Sequence, residues 1–178
     1  MRSHSRRFVL TAALVVLALA PSAFPQVTVI FTRHAEKADA PANDPILTEA
    51  GRKRAALLAS MLADSGVEAI YVTEVQRTQL TAGPLAERVH IKPTVLPAKD
   101  TASLVKAIRE RKSGVVVVVG HSNTVPDIIA ALGGPKFEIQ DSQYDNLFVL
   151  MVEPSKSSLL RLHYGDTRPV QSQDKMMK

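Results

Sequence analysis

Two arginines and two histidines in this 178-residue chain are placed to do chemistry together: Arg33-His34 as a pair, then Arg77, then His121. Each follows an apolar run. Val27-Thr28-Val29-Ile30-Phe31 leads into Arg33-His34, Ala69-Ile70-Tyr71-Val72 precedes Arg77, and five consecutive valines, Val115–Val119, precede Gly120-His121. Taken singly, each reads as a strand followed by ordinary solvated charges. Together, two guanidiniums and two imidazoles suit one ligand above others, a phosphoryl group. Arginine presents paired donors that match phosphate oxygens, and each charge-assisted bond is worth roughly 1.5–3 kcal/mol.

Convergence requires that the runs be strands of one sheet. β-branched and aromatic runs without alternation read as strands buried on both faces, as in parallel sheets. In open α/β sheets, ligands bind outside the carboxyl ends of the strands, where these four side chains emerge. The intervening segments read as helices. Thr48 is a candidate N-cap for a helix running to about Ala63, with Ala55, Leu58, Ala59 and Leu62 on its buried face and Asp64-Ser65-Gly66 as its stop. A second helix follows Gln76 through about Glu87. Ile91–Leu96 contains Pro93 and reads as a short strand near an edge. Thr101 is a candidate cap for a helix ending near Arg111. A further helix starts after Asn123, with Pro126 in its first turn, and ends at Gly133-Gly134-Pro135. Leu147–Val152 and Leu159–Tyr164 read as two strands joined by a Pro-Ser-Lys-Ser turn, candidates for an antiparallel edge. The expected fold is a single three-layer α/β/α domain over residues 23–170, its sheet mostly parallel with helices on both faces. A polar tail, residues 171–178, follows.

Composition bounds the partners. The chain carries 22 Lys and Arg against 17 Asp and Glu, a formal +5. Residues 1–22 hold Arg2, Arg6 and Arg7 and no acid, so the rest has 19 basic residues against 17 acidic ones. That small surplus, with no basic run interleaved by aromatics, excludes nucleic acid as an expected partner. Met1–Arg7 is basic, Phe8–Ala20 is apolar, and Ala20-Pro21-Ser22-Ala23 is rich in small residues, the order of an export signal. The apolar run is shorter than the roughly 20 residues that span a bilayer, so no stable membrane insertion is expected once residues 1–22 are removed. Ser5-Arg6-Arg7-Phe8-Val9-Leu10 also resembles a twin-arginine signal. The expected location is periplasmic or secreted. Cysteine is absent, which removes a thiolate nucleophile and a cysteine metal site. No His-x-His or His-Glu-x-x-His spacing occurs, and neither a metal nor another cofactor is expected.

Read together, the motifs resemble the histidine phosphatase superfamily, the phosphoglycerate-mutase-like group, in its small phosphatase branch. Thr32-Arg33-His34-Ala35 is similar to the family's Arg-His-Gly signature, with Ala in the Gly position. Leu47-Thr48-Glu49-Ala50-Gly51 is similar to its Leu-Thr-x-x-Gly helix start. Arg77-Thr78-Gln79-Leu80-Thr81-Ala82 resembles the second-arginine motif, with Leu80 where Gln is usual, and Gly120-His121-Ser122 resembles the distal Gly-His motif. The resemblance spans Val27 to Leu132. It implies that His34 is the nucleophile and forms a phosphohistidine, which neutral imidazole can do near pH 7. It implies that Arg33, Arg77 and His121 hold the phosphoryl oxygens as charge spreads in the transition state.

The proton donor is less determined. Asp100, just before a helix start, matches the position of the family's acid, and Glu36 and Glu74 are rivals beside motif residues. Asp100 reads equally as a helix cap. Glu36 and Thr81 are also candidates for substrate contact, Thr81 alternatively supporting its helix start with Thr78. Ser122 and Asn123 either touch phosphate or cap the following helix. His90 and His163 lack motif context, Lys37 and Asp39 read as loop solvation, and Tyr144, Asp145 and Asn146 are placed near the site rim. The function expected is an exported, metal-independent phosphatase acting on a small phosphorylated substrate or a phosphoprotein. A mutase is the nearest rival chemistry, disfavoured by the short connections between motif loops. A phospho-ligand-binding domain without catalysis is the rival of another class. Specificity is expected from Asp39–Pro45 and Lys136–Tyr144. Oligomeric state is not legible.

Overall fold

The valine run becomes the centre of a mixed sheet in the computed structural model, which describes residues 26–153 and 156–166. The elements in chain order are β1 (Val27–Arg33), α1 (Glu49–Leu62), β2 (Val67–Thr73), α2 (Gln76–Val89), β3 (Thr94–Leu96), α3 (Thr101–Arg109), β4 (Gly114–Gly120), α4 (Thr124–Ala131), β5 (Asn146–Val152) and β6 (Ser158–His163). The strand order is β3-β2-β4-β1-β5-β6. β1, β2, β3 and β4 are parallel, β5 runs antiparallel to β1, and β6 antiparallel to β5. The expected α/β sheet with an antiparallel edge is therefore present. The candidate signal, residues 1–22, and the polar tail, residues 171–178, lie outside the described residues.

Alternation along each strand divides the core between two faces. Val29, Phe31, Val116, Val118, Phe148 and Leu150 pack with Leu104 and Ile108 of α3 and Val125, Ile128 and Ile129 of α4. Ile30, Val117, Val119, Ile70, Val72 and Leu147 pack with Leu58 and Leu62 of α1 and Leu85 of α2. Successive valines point to opposite faces of the sheet, and each face has its own helical layer, so the run is buried on both sides as expected. Each fully buried Val or Leu contributes roughly 1.5–3 kcal/mol.

Local chemistry sets the ends. Thr48 caps α1, its Oγ1 accepting from Gly51 N at 3.1 Å, and Gly66 turns the chain after it at φ 70°. α2 ends at His90, which takes the left-handed position at φ 56°. Three expectations shift. β3 is shorter than Ile91–Leu96 because Pro93 has no N–H for the ladder, although β3 is the edge strand expected. α3 ends at Arg109, two residues short of Arg111. Its cap is Asp100, not Thr101: the Asp100 carboxylate accepts from Ser103 N at 3.1 Å.

Register aligns the functional edge. Arg33 lies opposite Gly120, and Val72 opposite Val119, so β1, β2 and β4 end level with one another. A hydrogen bond from His34 N to Gly120 O, 2.9 Å, carries the alignment one residue beyond β1.

Candidate active site

His34 is the first residue past β1 and is buried, with 3 % exposure. Its Nδ1 lies 2.8 Å from the Ala35 carbonyl oxygen. A carbonyl only accepts, so Nδ1 carries the proton and Nε2 is left with its lone pair. Burial pushes the His34 pKa down to about 3; the Ala35 carbonyl opposes the shift, and the charges of Arg33 and Arg77 and the His121 ring reinforce it. The ring is neutral at physiological pH.

The loop carrying His34 is clamped from two helices. Ala35 N donates to Thr81 Oγ1 at 2.9 Å, and Thr81 Oγ1 donates to Arg77 O at 2.7 Å. Thr48 N donates to Glu36 O at 2.9 Å. A Cβ on Gly51 would collide with the same Glu36 carbonyl, so the helix start needs glycine to approach this closely. Ala35 sits outside the left-handed region, His90 being the one non-glycine residue there among the described residues. The Ala35 methyl is fully buried and accommodated.

The Arg33 guanidinium is oriented by the loop before β5. Its Nη1 donates to the carbonyls of Gln140 at 3.1 Å and Asp141 at 2.9 Å. Its Nη2 lies 3.5 Å from Asp141 Oδ1, and its Cζ lies 4.3 Å above the Tyr144 ring. The buried Nε atoms of Arg33 and Arg77 have no hydrogen-bond partner among the described residues. A buried donor left unpaired is costly, and an anion supplies what both lack. Arg77 lies in the first turn of α2, whose Gln76 N is capped from outside by Asp44 Oδ1 at 2.9 Å.

His121 follows β4. Its ring lies 5.5 Å from the His34 ring, edge to face at 63°. Its Nε2 is 3.0 Å from Thr73 Oγ1, which is 2.9 Å from Thr78 Oγ1. Burial pushes its pKa down to about 4, with Arg77 and Arg33 adding to the shift and Glu74 opposing it. Two neutral imidazoles and two guanidinium cations therefore share one sheet edge, with the acids Glu74 and Asp141 beside them.

The structure brings Arg33, His34 and His121 together, and the Arg77 charge reaches all three. The other sequence-named residues are placed as follows. Thr81 is fully buried beneath the Ala35 peptide and serves the loop. Glu36 receives Arg54 Nε and Nη2 at 2.8–3.0 Å, so its carboxylate is committed to an ion pair. Asp100 caps α3, and its bonds to Ser103 hold its carboxyl below the usual range, opposite to what an acid donor requires. Glu74 Oε2 accepts from Ala98 N at 2.7 Å while its charge reaches His121. Ser122 Oγ donates to Asp141 Oδ1 at 3.3 Å. Asn123 precedes α4 without a side-chain cap bond; Thr124 Oγ1 instead accepts from His121 N at 3.1 Å. Tyr144 is on the rim, its ring 6.0 Å from that of His34. Asp145 pairs with His163 at 2.9 Å, and buried Asn146 accepts from Arg161 at 2.8 Å.

Sequence reasoning missed Arg54, Thr73 and Asp141. Arg54 stands in an ordinary helical position, and only its low exposure, 7 %, marks it. Thr73 ends a strand four residues before Arg77, a spacing that carried a weak signal. Asp141 gave none. Among the described residues no group of three or more His, Asp or Glu is arranged to hold a metal ion.

Residues 29–99 match the sequence model of the histidine phosphatase superfamily (branch 1). No curated protein sequence matches the chain. Among solved structures, the protein histidine phosphatase SixA complexed with tungstate is similar at a TM-score of 0.64 and 18 % identity, covering 77 % of this chain and 97 % of that one. Phosphoserine phosphatase from Entamoeba histolytica, in complex with 3-phosphoglyceric acid, is similar at a TM-score of 0.61 and 13 % identity, covering 79 % and 98 %. At these identities the likeness establishes the fold.

Proposed function

We propose that the chain is a histidine phosphatase superfamily member, a metal-independent phosphatase working through phospho-His34, a reading supported by the family match over residues 29–99. One observation carries the reading: the proton on Nδ1 of His34 is tied to Ala35 O, which leaves Nε2 as an unprotonated nucleophile beside His121 and the two arginines.

In the first step Nε2 attacks phosphorus, a P–N bond forms, and the bond to the leaving oxygen or nitrogen breaks. The leaving atom takes up a proton from solvent water, and the attacking water of the second step returns one. In the second step water attacks the phosphohistidine, the P–N bond breaks, and inorganic phosphate departs. Arg33 and Arg77 oppose the charge on the equatorial oxygens in both steps, a role worth about 10²–10³-fold in rate for a single lost donor elsewhere. Glu36, Asp100 and Glu74 each accept other hydrogen bonds, which favours substrates with good leaving groups, such as phosphoramidates, over alkyl esters. The structural neighbours named as protein histidine and phosphoserine phosphatases support hydrolysis over transfer. The order of basic, apolar and small residues over Met1–Ala23 supports export.

The purified protein is expected to release p-nitrophenol from p-nitrophenyl phosphate in the presence of EDTA, and His34→Ala to abolish release. Undiminished turnover by His34→Ala would discard the reading.

A further inference from the structure

The carboxylate at position 141 reaches two side chains that neighbour the paired histidines. Asp141 Oδ1 lies 3.5 Å from Arg33 Nη2 and receives Ser122 Oγ at 3.3 Å. Arg33 immediately precedes His34, and Ser122 immediately follows His121. The contrast in burial is large: the Asp141 side chain is 92 % exposed and that of Arg33 is 6 % exposed. The guanidinium is therefore fixed while the carboxylate is free to turn. Main-chain carbonyls of Gln140 and Asp141 already hold Nη1, so Arg33 does not need the Asp141 carboxylate to keep its orientation.

We propose that Asp141 is an internal anion that competes with the phosphoryl group for Arg33 and Ser122 and weakens retention of inorganic phosphate. The assignment rests on the phosphatase reading of the same site. An exposed contact of this kind holds weakly, so a dianion entering beside His34 displaces it. The displaced carboxylate stays tethered at the rim as a like charge. Product phosphate, with no organic group to add contacts, feels that repulsion against the smallest compensating attraction. A hydrolase needs such release at every turnover, since phosphate is made in the tightest part of the site.

Asp141→Asn tests this cleanly. The amide keeps the shape and an acceptor for Ser122, and leaves the main-chain clamp on Nη1 intact. Inorganic phosphate binding to the full chain, measured by titration calorimetry at low salt, is expected to tighten roughly five- to twentyfold in Asp141→Asn, from removal of one nearby charge at a partly screened site. The gap should narrow at high ionic strength. An unchanged or weaker affinity in Asp141→Asn, with wild-type binding intact, overturns the assignment and leaves the phosphatase reading standing. Absence of phosphate binding in both proteins overturns both.

Discussion

Glu36 and Arg54 form a two-pronged ion pair, Arg54 Nε and Nη2 reaching the carboxylate at 2.8–3.0 Å, two residues along the chain from His34. Arg54 also donates to the carbonyls of Tyr164 at 2.5 Å and Asp166 at 3.0 Å. One side chain on α1 thus joins the end of β1 to the end of the described chain. Removing one partner of a buried pair strands the other charge, which costs about 3 kcal/mol or more. Arg54→Ala is expected to lower the urea-unfolding free energy by about that amount. Glu36→Gln with Arg54→Met should recover part of it, since neither charge is then left unpaired. A loss below about 1 kcal/mol in Arg54→Ala would mean that the pair is solvated like an ordinary surface bridge.

Thr73 bears on His121 in a different way, through its Oγ1 at 3.0 Å from Nε2. Thr78 in turn fixes Thr73: Thr73 N donates to Thr78 Oγ1 at 3.2 Å. This positions the ring and leaves Nδ1 as its other nitrogen. Thr73→Val keeps the volume and deletes the hydroxyl. The expected effect is a fall in kcat of about tenfold, equivalent to about 1.4 kcal/mol in the barrier, with KM little changed. Thr73→Ser should restore most of the loss. Equal rates for the valine and wild-type proteins would leave the hydroxyl a packing role only.

The difference between what the sequence showed and what it hid follows from how far each feature depends on tertiary contact. The valine run, the Thr48 cap and the Pro126 helix start are local signals, and each lies where the pattern put it. Arg33, His34, Arg77 and His121 are expected to converge because parallel strands must release their exits along one edge, a rule that needs no side-chain detail. Asp100 shows where that logic stops. Its position before a helix fits both an acid and a cap, and only the 3.1 Å bond from Ser103 N shows which bond the carboxylate makes in this structure. Arg54, Thr73 and Asp141 act through partners 18, 48 and 108 residues away in sequence, and no period or spacing encodes those distances.

Acid sensitivity follows from the same two imidazoles. Burial holds His34 at a pKa of about 3 and His121 at about 4, whereas both return to about 6.5 in the unfolded chain. Between those values the unfolded chain binds protons that the folded one refuses. Stability from keeping the rings neutral is therefore fully present above about pH 6.5 and drains away as pH falls through about 4 for His121 and about 3 for His34. The melting temperature is expected to drop progressively on acidification from about pH 7 to about pH 4. His34→Gln combined with His121→Gln removes the two groups and should flatten that drop, whatever the change in stability at neutral pH. Scanning calorimetry at several pH values reads the slope directly. Parallel slopes for the wild-type and double-variant proteins would show that the rings titrate alike folded and unfolded, and would remove the burial argument on which the neutral nucleophile depends.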